Sequence, residues 1–210
     1  MDKEEQRAEF LFRMYDKMWS NIDRHTAIVW QSIGAVVASL AVFSITDKVG
    51  EDVAYATVIV MTGWLIANLL DSNAWCARNM HIINNLERQF LTPEDAKEIS
   101  HFFTGRRTYK LQPHLQTQMF LAGLILAGVT GAHFYKRIVI FVDPSGPRWL
   151  PYAALAVSLV YCIHLWFDYS YSHQKLVDKS PGKPITLPPT PGDTDPKPQQ
   201  GPATVPEKKA

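Results

Sequence analysis

Apolar residues in this chain are gathered into long blocks that are separated by polar stretches. The blocks cover residues 27–45, 53–70, 119–135 and 150–167. Each has about 17 to 20 residues, which is long enough for an α-helix to cross the hydrocarbon layer of a bilayer. The pattern therefore predicts an all-α integral membrane protein with four transmembrane helices.

The polar stretches beside the first two blocks keep a helical pattern, with apolar or aromatic residues at spacings of three and four. The stripe before the first block contains Leu11, Tyr15, Met18 and Ile22, and the stripe after the second contains Trp75, Asn79, Ile82 and Leu86. Isolated polar helices are marginally stable, so such stripes need a packing partner. We expect the first two helices to extend out of the membrane as a long antiparallel helical hairpin.

The distribution of Lys and Arg predicts the orientation of the chain. The amino-terminal segment and the polar middle segment are rich in both residues, whereas the connection 46–52 has one Lys against three acids. Short loops rich in Lys and Arg usually remain in the cytoplasm. We therefore expect both termini and the hairpin extensions in the cytoplasm. Because residues 1–26 are charged throughout, we expect an uncleaved first span instead of a signal peptide.

This reading divides the chain into four parts. Residues 1–91 form the helical hairpin with spans 27–45 and 53–70, and residues 92–116 form a short cytoplasmic helix and loop. Residues 117–179 form a second transmembrane hairpin, whose connection 137–151 favours an elbow or a short extended pair because it combines β-branched and turn residues. Residues 180–210 are rich in Pro and poor in apolar residues, which predicts a disordered tail.

Small residues recur every fourth position in two of the spans. The longer ridge consists of Gly123, Ala127 and Gly131, and the shorter one of Gly34 and Ala38. In lipid, such ridges allow the backbones of two helices to approach closely. They predict tight helix packing either within the chain or between copies in a homo-oligomer.

Polar residues near the predicted cytoplasmic boundary are candidates for function, because polar groups inside spans are costly. The candidates for the lining of a pore or vestibule are Gln31, Asn68, Asp71, His164 and Asp168. Ordinary interface polarity is the alternative explanation. Arg106, Arg107 and Lys110 are candidates for binding an anionic messenger or a lipid headgroup, with topology-setting charge as the alternative.

Catalytic and metal-binding patterns are weak. His133 and His164 fall at different predicted depths, so we expect each to bond a backbone carbonyl or to reach the interface. Cys76 and Cys162 have no metal-ligand spacing, and no phosphate loop or nucleophile elbow is present. We therefore expect no enzyme activity, cofactor or metal. The formal net charge of +1 gives no reason to expect nucleic acid as a partner.

The first 91 residues resemble the SLATT-type bacterial membrane modules. The resemblance rests on the charged amino-terminal helix FLFRMYDKMW, the two spans that follow it, and the helical extension NAWCARNMHIINNLERQFL. It implies a multi-pass protein of the bacterial inner membrane that acts as an effector in antiviral defence and forms oligomeric pores. The third and fourth spans and the Pro-rich tail lie outside the resemblance.

Two functional hypotheses follow. The first is an oligomeric, non-enzymatic membrane protein that acts as a gated pore or membrane-perturbing effector, with membrane lipids and copies of itself as partners. The second is a membrane anchor or scaffold that recruits a soluble cytoplasmic protein or responds to a signalling ligand through its cytoplasmic helices.

Overall fold

The computed structural model describes residues 2–41, 50–92, 95, 109–140 and 147–179. These ranges are helical and contain no strand. The elements are α1 (Lys3–Leu40), α2 (Glu51–Phe90), α3 (Pro113–Phe134) with a π-helical segment (Tyr135–Ile140) directly after it, and α4 (Leu150–Lys179). The Pro-rich segment 180–210 and most of the predicted short helix after residue 92 lie outside the described residues.

Helix α1 begins with a capping box. The Asp2 side chain accepts from the backbone N–H of Lys3 and from that of the third helical residue, Glu5, whose own side chain accepts from the Asp2 N–H. These bonds satisfy amides that have no partner inside the helix. Helix α3 begins in a different way, with Pro113 in its first turn. The backbone N–H of Gln112 before it donates to the Asn73 side chain at 3.0 Å, which ties this start to α2.

Helices α1 and α2 pack along their length and run in opposite directions. The Arg7 guanidinium near the start of α1 donates to Gln89 near the end of α2, and Asn68 donates to Ser32 at 2.8 Å further along. Two apolar clusters lie along this contact. One contains Val29, Val36, Leu65 and Leu69 with Leu115 and Ala122 of α3, and the other contains Ile22, Cys76 and Ile83.

The second helix has no break between its apolar and its polar part. Helix α2 has 40 residues and continues through Asp71–Ala74, where the apolar block ends. This continuity agrees with the helical pattern of the sequence after Leu70. At 1.5 Å per residue the helix is about 60 Å long.

Among the described residues, three helices are long and apolar enough to cross a membrane: α2, α3 together with its π-helical segment, and α4. The predicted first span, 27–45, is described only as far as Ala41, at the end of α1. The expectation of an elbow or extended pair from residue 137 is wrong for residues 137–140, which continue α3 as a π-helical segment. Side chains of this segment bond to α2, and such tertiary contacts override the preference of β-branched residues for strands.

The closest contact between α2 and α4 is at Gly63. A Cβ atom added to Gly63 would lie 2.6 Å from Cβ and Oγ of Ser158. The sequence analysis did not single out Gly63. Within the described residues the predicted ridges are not packed against another helix, because Gly34, Ala38, Gly123, Ala127 and Gly131 are exposed. A Cβ atom added to any of the three ridge glycines, Gly34, Gly123 or Gly131, would meet nothing within 4 Å.

We predict that Gly63→Ala destabilises the protein by about 1–3 kcal/mol, because the new methyl group forces α2 and α4 apart. The measurement is the thermal unfolding midpoint in detergent, with Gly128→Ala in α3 as the control. Gly128 has open space around it, so alanine there gains helix propensity at no steric cost. Equal midpoints for the two variants would contradict the close contact.

Candidate functional site

A buried carboxylate lies at the start of α2. Asp52 is the second residue of this helix and is 3% exposed. The amino-terminal turn of a helix stabilises negative charge through its free N–H groups and the helix dipole. Helix α2 therefore favours the ionised form of this carboxylate, and the burial requires that its oxygens find donors.

Those donors come from the end of α3 and its π-helical segment. Asp52 Oδ1 accepts from His133 Nε2 at 3.0 Å and from Arg137 Nε at 3.0 Å, and Oδ2 accepts from Arg137 Nη2 at 2.9 Å. The Arg137 contact is the two-point pairing that gives guanidinium–carboxylate pairs their strength and fixed geometry. Next to it, Lys136 is paired with Glu51 at the more exposed edge of the site.

Helix α4 contributes a third partner, Tyr152. The His133 ring is fully buried, and its Nδ1 atom lies 3.0 Å from the Tyr152 hydroxyl. An ionised carboxylate can only accept, so Nε2 of His133 carries the proton that is donated to Asp52. In the neutral imidazole the Nδ1 atom then accepts from the tyrosine. We call the group Asp52, His133, Arg137 and Tyr152 the Asp52 cluster.

The Asp52 cluster joins α2, α3 with its π-helical segment, and α4 at one end of the bundle. Short π-helical segments inside or after α-helices are found frequently at functional sites. The Tyr152–His133–Asp52 chain of hydrogen bonds links α4 to α2 through α3, and the Asp52–Arg137 ion pair links α2 to the π-helical segment. Of the two alternatives expected for His133, a backbone carbonyl or the interface, the carbonyl is not its partner, because its two ring nitrogens contact side chains of α2 and α4.

The pore candidates do not form one group in the single chain. Asn68 and Asp71 face neighbouring helices: Asn68 donates to Ser32, and Asp71 accepts from the Tyr169 hydroxyl at 2.9 Å. Gln31, His164 and Asp168 are exposed on the outer surfaces of α1 and α4. The first two candidates therefore hold the bundle together, Gln31 and His164 lie on its outer surface, and Asp168 is exposed in a groove between α2 and α4 that Asp71 also lines.

The hairpin stripes lie mostly where the sequence pattern places them. Ile22, Asn79 and Leu86 are buried, and Leu11, Tyr15, Met18 and Ile82 are partly buried. Ile83, the neighbour of Ile82, is the fully buried isoleucine of this contact. Trp75 is partly exposed, and its ring stacks on that of His25 at 5.3 Å between centroids. Lys110 is exposed, whereas Arg106 and Arg107 lie outside the described residues.

Several titratable groups beyond the apolar blocks are buried at the other end of the bundle. Burial lowers the pKa of His25 and of His81, and the nearby His173 lowers the pKa of His81 further. The His81 and His173 rings lie 5.6 Å apart between centroids. Burial also raises the pKa of the Cys76 thiol to about 11, so this thiol is protonated at neutral pH.

Sequence reasoning did not select three residues of the Asp52 cluster. Asp52 is one of the three acids of the connection 46–52, and Arg137 and Tyr152 lie at the edges of the third and fourth apolar blocks. A signal was present: an acid at the start of one apolar block and a His and an Arg at the end of another fall at the same predicted depth. Pairing across helices at that depth would have found the site.

The comparisons with known proteins add no relative. No protein-family model, curated protein or solved structure matches this chain.

We predict that Asp52→Asn lowers the free energy of unfolding by about 3–5 kcal/mol, because Arg137 then lacks its buried counter-charge. Urea or thermal unfolding in detergent measures the change. Glu51→Gln is the control: it removes the neighbouring carboxylate, whose pair with Lys136 is more exposed and contributes at most about 1 kcal/mol. If both variants lose the same stability, the Asp52 cluster is no stronger than a surface pair.

Proposed function

We propose that this protein is an integral membrane protein that acts as an assembly of several copies and that, when triggered, opens a path for ions or perturbs the bilayer. One observation carries the proposal: the apolar outer faces of α3 and α4 are uncovered in the single chain. Only 17% of the most apolar window of α3 and 6% of that of α4 are buried. Apolar surfaces of this extent need lipid or other subunits against them.

The ridge on α3 supports contact between copies. Gly123, Ala127 and Gly131 lie on one face of the helix, and the two glycines have open space beside them. Leu121 and Leu124 beside the ridge are also exposed. A smooth strip with larger residues beside it is the surface that lets two membrane helices pack closely.

Polar residues on the outer surface support a hydrated path in such an assembly. His164 is exposed on α4 within the apolar block 150–167, and Asp168 and Gln31 are exposed near the ends of their blocks. A polar side chain that faces hydrocarbon is costly, so these positions favour a neighbouring subunit or water. In the assembly Gln31 and His164 line the path, while Asn68 and Asp71 stabilise the bundle beside it and Asp168 lies at its edge.

In our proposal the protein lies in the bacterial inner membrane with both termini in the cytoplasm. Its role there is in antiviral defence. The resemblance of residues 1–91 to SLATT-type modules supports the setting, and the Lys and Arg distribution supports the orientation. The polar parts of α1 and α2 then receive the trigger. The unbroken course of α2 supports this role, because one helix connects those polar parts to the Asp52 cluster.

We predict that Gly123→Leu combined with Gly131→Leu disrupts the assembly and abolishes ion leak from liposomes while the single chain still folds. The reason is that the two leucines stand out from the ridge, whereas a Cβ atom at either position meets nothing within 4 Å in the described part of the chain. Crosslinking or mass photometry in mild detergent measures the assembly, and release of an entrapped dye or potassium measures the leak.

Gly128→Leu is the matched control, since it lies one residue after Ala127 and therefore about 100° around the helix from it. It should keep both the assembly and the leak. A wild-type protein that stays monomeric and leaves liposomes sealed would overturn the proposal, as would a double variant that behaves like the wild type.

A groove between the ends of α1 and α2 favours a second candidate function, a membrane anchor that recruits a soluble protein. The groove has a volume of about 320 Å³ and is lined mainly by Leu11, Phe12, Tyr15, Leu86 and Phe90. The Phe12 and Phe90 rings are 64% and 53% exposed. Apolar grooves between helices of this kind accept the apolar face of an amphipathic helix.

For this second function we predict that Phe12→Glu combined with Phe90→Glu abolishes crosslinking of a soluble partner in native membranes and leaves liposome leak unchanged. The charges make the groove unsuitable for an apolar partner. Phe10→Glu is the control, because Phe10 is equally exposed but does not line the groove. A crosslinked partner that survives the double substitution would eliminate the groove as the docking site.

A further inference from the structure

A second groove lies between α2 and α4, just past the ends of their apolar blocks. Its volume is about 470 Å³, and its lining includes Trp75, Arg78, Asp168, Tyr169, Lys175 and Lys179. The apolar blocks of the two helices end at Leu70 and Phe167. In a membrane the groove is therefore at the level of the lipid headgroups, where Trp and Tyr rings are enriched.

Three cations from two helices surround this groove. Arg78 comes from α2, and Lys175 and Lys179 come from α4. Within the described part of the chain none of them is ion-paired with a carboxylate. The Arg78 guanidinium lies 5.3 Å from the centre of the Trp75 ring, and Lys175 Nζ lies 4.2 Å from that of Tyr171. The aromatic rings hold both cations in place, and their charges remain available to an anion.

Two carboxylates also belong to the groove. Asp71 accepts the hydrogen bond of the Tyr169 hydroxyl at 2.9 Å, whereas Asp168 is exposed. Three cations against two carboxylates leave a surplus of one positive charge. This mixture suits a ligand that presents a phosphate to the cations and a hydrogen-bond donor to Asp168.

An apolar track leads from the groove toward the centre of α4. Ile163, Phe167 and Tyr171 follow each other at spacings of four, so they form one stripe, and all three are exposed. Lys175 is the next residue of the same stripe. A ligand held by its phosphate at Lys175 can therefore lay a hydrocarbon chain along Tyr171, Phe167 and Ile163.

We propose that the groove between α2 and α4 is a binding site for one membrane phospholipid whose headgroup carries a phosphodiester and a hydrogen-bond donor. Phosphatidylethanolamine and phosphatidylglycerol both meet this description, and phosphatidylcholine lacks the donor. The inference rests on the membrane insertion of the proposed function and is independent of ion conduction. Basic pockets between membrane helices are known to bind lipid headgroups in this way.

The test is native mass spectrometry of the full chain, extracted from bilayers that contain equal parts of phosphatidylethanolamine, phosphatidylglycerol and phosphatidylcholine. The wild type should retain one phosphatidylethanolamine or phosphatidylglycerol and discriminate against phosphatidylcholine. Arg78→Gln with Lys175→Gln and Lys179→Gln should weaken retention by about a hundredfold, since each cation near a lipid surface contributes about 1 kcal/mol.

The control carries the same change of charge elsewhere: Lys3→Gln with Arg13→Gln and Lys17→Gln, all exposed on α1. It should retain lipid like the wild type. Equal loss in both triple variants, or equal retention of phosphatidylcholine, would overturn the site. So would full competition by soluble glycerophosphoglycerol, because the acyl track would then contribute nothing.

Liposome leak measured on the same preparations separates this inference from the proposed function. If the protein inserts and retains the lipid but causes no leak, only the proposed ion conduction is overturned. If it causes leak but retains no lipid, only the proposed lipid site is overturned. If the protein remains in solution without detergent, both the lipid site and the proposed function are overturned.

Discussion

The carboxylate of Asp52 is the point at which three helices of this structure are joined. It is buried at the start of α2, so it needs donors, and it finds them in His133 and Arg137 at the end of α3 and its π-helical segment. Tyr152 adds α4 through the other nitrogen of His133. Apolar contact between helices gives little preference for one arrangement in lipid. Directional bonds to one buried charge therefore fix which helices meet at this end.

The all-helical class and the packing stripes could be read from the sequence because they depend on periodicity alone. Leu11, Tyr15, Met18 and Ile22 face α2 because a helix places every third and fourth residue on one side, whatever its neighbours are. The continuity of α2 follows from the absence of Gly and Pro after Gly63 in this helix. The pattern is less specific at Ile82 and Ile83. Both isoleucines lie on the packed side of α2, and the spacing alone does not say which is more deeply buried; in the structure it is Ile83.

The candidate site was less predictable because it depends on how helices are placed relative to one another. Asp52, Arg137 and Tyr152 come from three elements, and each looks like an ordinary interfacial residue in its own segment. The small-residue ridge is a second case: Gly123, Ala127 and Gly131 predict close packing without identifying the partner, and within the described part of the chain a close approach occurs instead at Gly63, beside Ser158. A repeat shows that a helix can be approached closely, but it does not show by which partner.

The uninterrupted hydrogen bonding of α2 has a mechanical consequence. A helix without Gly, Pro or a wide turn between Gly63 and Phe90 resists bending, so it rotates and shifts as a single lever. The helix also continues unbroken through Gly63 to Asp52, about 60 Å from Phe90, so a rotation of the whole helix about its axis would change the alignment of Asp52 with Arg137. The two ends of α2 are therefore expected to rotate together, although they are far apart.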